Sequence, residues 1–264
     1  MMASTLLWRP FPVLMLTVRQ FLGGRAVQVV TALSLVPVLF AGIYLLDTTW
    51  TTPREFLARV IFLELVAPTL LPISVLILAT GALGNELEDR TLPYLTLKPV
   101  GRLRIVVEKL GGVLIVALPT VLLGLLVAFA LISRAEDPFV GIASNLGVDQ
   151  SLAPVLWAAL VAGAAGVVAF AAIFITVSLY IPRALLTGII YSFVWESLLG
   201  RFLPGIRVVS VRHYVQSIFV GLLDDRRIRI DNAFSPSASF VTLEVACLIA
   251  VLLATWRLRR MNLE

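Results

Sequence analysis

With 264 residues, 59% of them hydrophobic and only 14% charged, and a mean hydropathy of +0.99, the chain is excluded from the ordinary soluble proteins, whose interiors cannot hide so much apolar side chain. Lipid must cover the rest. The net charge of +5 rests almost wholly on arginine, and these bases flank apolar runs, where they read as interfacial anchors rather than as a nucleic-acid footprint.

Residues 1–25 mix Trp8, Leu14, Val18, Phe21 and Leu22 with Arg9, Arg19 and Arg25. The order of a cleaved signal peptide is not followed, and the helical spacing predicts an interfacial helix along the cytoplasmic face. Gly23-Gly24 would then turn the chain into a first span at 26–46, kinked at Pro37. A polar connection at 47–59 leads to a second span at 60–84, which carries Glu64, Pro68 and Pro72. The third span is expected at 105–132, where Gly111-Gly112 and Pro119 mark close packing or a bend. After a loop at 133–153, the fourth span at 154–180 is rich in Ala and Gly, the composition of a helix packed against neighbours in a membrane. Ile181-Pro182-Arg183 turns the chain into a fifth span at 184–199.

Residues 201–238 alternate between apolar and charged. Val211, Tyr214, Val215, Ile218 and Phe219 share a helical face that Arg212, His213 and Gln216 interrupt, too polar for a lipid-exposed crossing. An amphipathic helix in the outer leaflet or a packed re-entrant element satisfies the pattern. The sixth span, at 240–256, ends in Arg257, Arg259 and Arg260. Six crossings leave both termini on one side, which the flanking bases identify as cytoplasmic. The fold class is therefore an all-α membrane protein in a single domain over 1–264, with an extracytoplasmic segment at 201–238.

A polar island at 85–104 separates the second and third spans. Acids crowd its first half (Glu86, Glu88, Asp89) and bases its second (Lys98, Arg102, Arg104), with Leu92, Tyr94, Leu95 and Leu97 between them. This pattern suits a short amphipathic helix at the membrane face with one side offered to a soluble partner. Thr91 can cap such a helix, Pro93 fits its first turn, and Pro99 and Gly101 end it.

Catalytic signatures are missing. The sequence has no Gly-x-x-x-x-Gly-Lys-Ser/Thr loop to hold a nucleotide, no Gly-x-Ser-x-Gly elbow, and a single His and Cys, too few for a metal cluster. No catalytic residue and no cofactor are expected on the chain. The span carboxylates Glu64, Glu196 and Glu244 are candidates either for ion pairs with outer arginines or for contacts along a substrate path. Glu108 reads as a boundary anchor, and His213 as a packing residue.

The run Glu88-Asp89-Arg90-Thr91-Leu92-Pro93-Tyr94-Leu95, continuing through Lys98-Pro99-Val100 and Arg102 to Lys109, resembles the cytoplasmic loop of ABC-2 type transporter permeases. Arg90 and Pro93 depart from the commonest form of that loop, and the arrangement of spans agrees with the family over nearly the whole chain. The resemblance implies a coupling helix that docks on a separate ATP-binding subunit, with Glu88, Arg90, Thr91, Leu92, Tyr94, Leu95, Leu97, Pro99 and Arg102 as docking residues. It further implies a second permease chain, a pathway along spans one, two and five, ATP and Mg held by the partner, export as the direction, and a bacterial or archaeal cell membrane. The alternative is an ion-coupled carrier or scaffold without an ATPase, for which paired broken helices and mid-span charges would be expected.

Overall fold

The computed structural model describes residues 11–46, 51–84, 101–135, 151–181, 184–190, 210–225 and 227–260, and every regular element among them is helical. A first helix, α1 (Pro12–Leu22), is followed at Gly23-Gly24 by α2 (Arg25–Ser34) and α3 (Val36–Leu46). Together α2 and α3 form the first of five stretches long and apolar enough to cross a membrane. The others are α4 (Pro53–Leu83), α5 (Arg102–Ile132), α6 (Ala153–Tyr180) and, at the end of the chain, α9 (Pro236–Arg260). Of the span expected at 184–199, α7 (Ala184–Ile190) is described and the remainder lies outside the described residues. The chain is an all-α membrane protein.

The predicted kink in the first span is real, and its cause is Pro37. Proline has no N–H and its ring crowds the carbonyl four residues back, so the helix is interrupted at Leu35. The third span seats against this break. A Cβ added at Gly124 of α5 would collide with the Ser34 carbonyl, so the two backbones touch where a side chain would separate them.

The second span begins earlier than expected. The polar composition of 47–59 suggested a connection, but the Thr52 hydroxyl accepts from Glu55 N (3.2 Å) and Pro53 occupies the first turn, so the helix starts at Pro53. From Phe56 to Leu70 it is wound as a π-helix; the closing amide of Leu71 donates to Val66, five residues back. In this register the Leu63 carbonyl should receive the amide of residue 68, which is a proline with no hydrogen to give. The side-chain amide of Gln216 supplies one at 2.8 Å.

Gln216 belongs to α8 (Val211–Leu223), started by the Ser210 hydroxyl, which accepts from His213 N, and ended by Asp224 in the left-handed region. Thirteen residues rise about 20 Å, short of the roughly 30 Å of hydrocarbon. α8 is buried nearly all round, packed against α6 and α9. His213 Nε2 donates to Asn232 O (3.1 Å) and the ring meets Phe234 edge-on, and Ser217 accepts from Phe234 N. The polar residues that forbade a lipid-facing crossing are thus satisfied inside the protein.

The small residues of α6 pack as expected. Gly163 faces Leu122 and Leu125 of α5, while Gly166 faces Leu71 and Val215. Thr176 donates to Ala250 O (2.8 Å), and Arg257 reaches Leu179 O while lying over the Tyr180 ring. These pairings advance together along both chains, so α6 and α9 run parallel. The intervening chain must therefore return from one end of the bundle to the other, a net crossing that the expected fifth span would supply.

Candidate site at the stems of the polar loop

The docking residues expected from the sequence, Glu88, Arg90, Thr91, Leu92, Tyr94, Leu95, Leu97 and Pro99, lie outside the described residues. What the structure gives is the pair of stems that carry the loop. The entry stem is the end of α4, closing at Gly84, and the exit stem is the start of α5, where Gly101 stands as N-cap. Arg102 opens α5, with its Nη1 buried and without a hydrogen-bond partner among the described residues.

Both stems are crossed by α1. On the entry stem, Phe21 is buried against Gly81, whose missing Cβ would come 3.4 Å from the ring. On the exit stem, Gly111 and Gly112 open a seat for Leu14 and Thr17; a Cβ at Gly112 would come 2.8 Å from Thr17 Cγ2. The expectation of close packing at Gly111-Gly112 is met, and the partner is α1.

The start of α1 lacks a cap of its own. Phe11 stands at the N-cap position and has no side-chain acceptor, and Pro12 has no N–H, which leaves Val13 and Leu14 as the donors to be satisfied. Glu108 satisfies both. Its Oε2 accepts from Val13 N at 2.8 Å and from Leu14 N at 3.1 Å, while Oε1 accepts from Arg104 Nε at 2.6 Å. Glu108 is 3% exposed and Lys109 beside it is fully buried. The sequence placed Glu108 at a boundary as an anchor; the structure makes it the missing cap of a helix 95 positions away. A signal was present in the sequence, since a helix beginning Phe-Pro must borrow an acceptor from somewhere, but no local spacing tells where.

Of the span carboxylates, Glu196 lies outside the described residues. Glu64 and Glu244 are both exposed on the surfaces of their helices, and neither belongs to an ion pair among the described residues. The arginines at that end of the bundle are engaged elsewhere. Arg54 pairs with Asp225 at 3.1 Å and also donates to Ser151 O, and Arg59 pairs with Glu55 and donates to Arg227 O. Asp225 and Glu55 sit at the helix ends where those arginines emerge, whereas Glu64 lies farther into the span.

The stems share their end of the bundle with Tyr180, Arg257 and the start of α1. Arg54, Ser151, Asp225 and the Gly221–Pro236 contact mark the opposite end. In comparisons with known proteins, no curated protein matches the chain. A family model described as ABC-2 family transporter protein matches residues 25–197, which include the first four spans and both stems with the loop between them. The chain belongs to the ABC-2 transporter family.

Proposed function

We propose that the chain is the membrane-spanning subunit of an ATP-driven exporter, working as a dimer with a second permease chain and powered by a separate ATP-binding subunit docked on the loop at 85–104. The observation that carries this reading is the family match across both stems, joined to a loop whose acidic, apolar and basic thirds suit a docking helix. ATP and Mg belong to the partner, because this chain has no phosphate-binding loop. ATP-driven closure of the partner pair would bring the loops together and shift the spans between two conformations.

The end of the bundle that holds the stems is then cytoplasmic, with both termini on that side. Arg19, Arg25, Arg102, Arg104, Arg257, Arg259 and Arg260 gather there, in keeping with the charge rule. Glu64 supports a pathway role. A carboxylate exposed on the flank of a largely buried span is costly against lipid and reasonable against a water-filled path or a second subunit. Glu196 and Glu244 complete the candidate set.

The test is affinity purification of the tagged chain from detergent-solubilised membranes, with mass spectrometry of what accompanies it. A soluble protein with a phosphate-binding loop is expected, and it should be lost when residues 91–100 are scrambled. Truncating Tyr94 and Leu95 to Ala should abolish coupled ATP hydrolysis while membrane insertion persists. A chain that purifies folded and alone overturns the reading in favour of a carrier or scaffold.

A further inference from the structure

We propose that the C-terminal end of α9 binds an anionic phospholipid, its phosphate headgroup gripped by Arg257 and Arg260 and its acyl chains laid along the exposed apolar face of the same helix. The site needs only the membrane, which the family and the apolar helices establish. Placing it in the inner leaflet rests on the sidedness proposed above.

Val245, Leu248, Ile249 and Leu252 are exposed along α9 at spacings of three and four residues, and the stripe continues through Trp256 into Arg259 and Arg260. From Leu248 to Trp256 it rises about 12 Å, close to the roughly 15 Å of one hydrocarbon leaflet. An apolar stripe that ends in tryptophan and then in arginine follows the polarity of a phospholipid from chain to headgroup.

The two guanidinium groups are already held. Arg260 Cζ lies 4.4 Å from the Trp256 ring centroid, and Arg257 Cζ lies 5.2 Å from that of Tyr180. The Tyr180 hydroxyl donates to Leu253 O and Arg257 Nε donates to Leu179 O, both at 3.4 Å. One face of each guanidinium is thus covered by a ring, which reduces the ordering that a ligand must impose. Their edges remain open: no carboxylate among the described residues pairs with Arg257, Arg259 or Arg260. Glu108 on the neighbouring α5 is buried and committed to Arg104 and α1. Glu244, exposed on α9 itself, stands about 24 Å away along the axis. Open guanidinium forks match the oxygens of a phosphate. A second copy of this chain covers the end less well. About a two-fold axis along the membrane normal, equivalent arginines meet at equal depth and repel, whereas an anionic headgroup neutralises them.

The experiment uses the full chain with Trp256 as its single tryptophan (Trp8→Phe, Trp50→Phe, Trp157→Phe and Trp195→Phe), reconstituted in phosphatidylcholine vesicles that contain a lipid brominated on its acyl chains. Brominated phosphatidylglycerol is expected to quench Trp256 with about tenfold higher apparent affinity than brominated phosphatidylcholine. Arg260→Gln, at an exposed position, should lower that ratio to about threefold, and Arg257→Gln with Arg260→Gln should bring it to about one. Arg257→Lys with Arg260→Lys keeps the charge without the fork and should give an intermediate ratio; an undiminished ratio would overturn the gripped headgroup in favour of diffuse charge. Arg19→Gln with Arg25→Gln lowers the charge at the same end away from α9 and should leave the ratio intact, and its loss there would overturn the site likewise. Equal quenching by the two lipids in the parent chain would also overturn it. So would loss of the preference in excess inorganic phosphate, which would make the site one for the free anion. Native mass spectrometry of the unsubstituted chain, delipidated and then given either lipid, repeats the comparison with every tryptophan in place. Retention of phosphatidylglycerol that Arg260→Gln loses is expected, and equal retention of both lipids would overturn the proposal. No arm requires an ATP-binding subunit, so failure of the functional reading and failure of this site are separate results.

Discussion

The side-chain amide of Gln216 donates to the carbonyl of Leu63 across 153 positions of sequence, filling the place of the hydrogen that Pro68 lacks. One residue of the short buried helix α8 thus completes the hydrogen-bond ladder of the second span. Gln216→Leu leaves that buried carbonyl unsatisfied, at a cost of about 1–3 kcal/mol. Thermal unfolding in detergent should show a lowered midpoint. In a Pro68→Ala chain the new amide can serve Leu63, so the same Gln216→Leu change should lose most of its cost. A double-mutant cycle with no coupling between the two sites would contradict the assigned roles.

The contact between α5 and the break in the first span predicts a contrast between two glycines. Gly124→Ala forces a methyl group into the Ser34 carbonyl and should destabilise by about 1–3 kcal/mol, with backbone rather than a flexible side chain in the way. Gly42→Ala meets nothing within 4 Å and should be neutral, or stabilising by up to about 1 kcal/mol through helix propensity. Equal melting curves for the two variants would remove the close approach as a determinant of stability.

Arg54 and Arg59 lie five residues apart yet should respond differently to truncation. The Arg54 side chain is 12% exposed and ties the start of α4 to Asp225 and Ser151, so Arg54→Ala should cost on the order of 2 kcal/mol. The Arg59–Glu55 pair is half exposed, and Arg59→Ala should stay within about 0.5 kcal/mol. Thermal midpoints of the two purified variants, measured side by side, decide it.

Parallel packing of α6 and α9 predicts the sidedness of the chain independently of any charge rule. In a Cys247→Ser background, a cysteine at Thr96 and one appended after Glu264 should react from the same face of the membrane. An impermeant maleimide should label both or neither in intact cells, and both after permeabilisation. Labelling of one alone would break the topology.

Much of this fold is legible in the sequence because lipid simplifies the code. An apolar run of twenty or more residues has few alternatives, and the Ala- and Gly-rich fourth span announces close packing before any coordinates are seen. The start of the second span was hidden because 47–59 is polar, and only the local chemistry of Thr52 and Pro53 reveals the helix. The burial of α8 was hidden for a different reason. Its polar residues find partners in Leu63, Asn232 and Phe234, which are distant in sequence or lie in irregular chain, and no periodicity encodes such pairings. The polar loop between the second and third spans is the part most legible as a motif, although its residues from 85 to 100 lie outside those described. Glu108 shows the reverse: its role follows at once from geometry, while its sequence neighbourhood suggests no more than a charge at a membrane boundary.

The borrowed cap also imposes an order on biosynthesis. Since the acceptor for Val13 and Leu14 lies 95 positions downstream, α1 leaves the ribosome well before the residue that completes it. At about 5–20 residues per second, the interval is roughly 5–20 s, during which the first and second spans are made. Throughout that time α1 must wait as an uncapped amphipathic segment, sheltered at the membrane surface or by the insertion machinery. Arrival of the third span then closes the first helix of the chain, so the stems of the loop and the strap across them become fixed in a single late step.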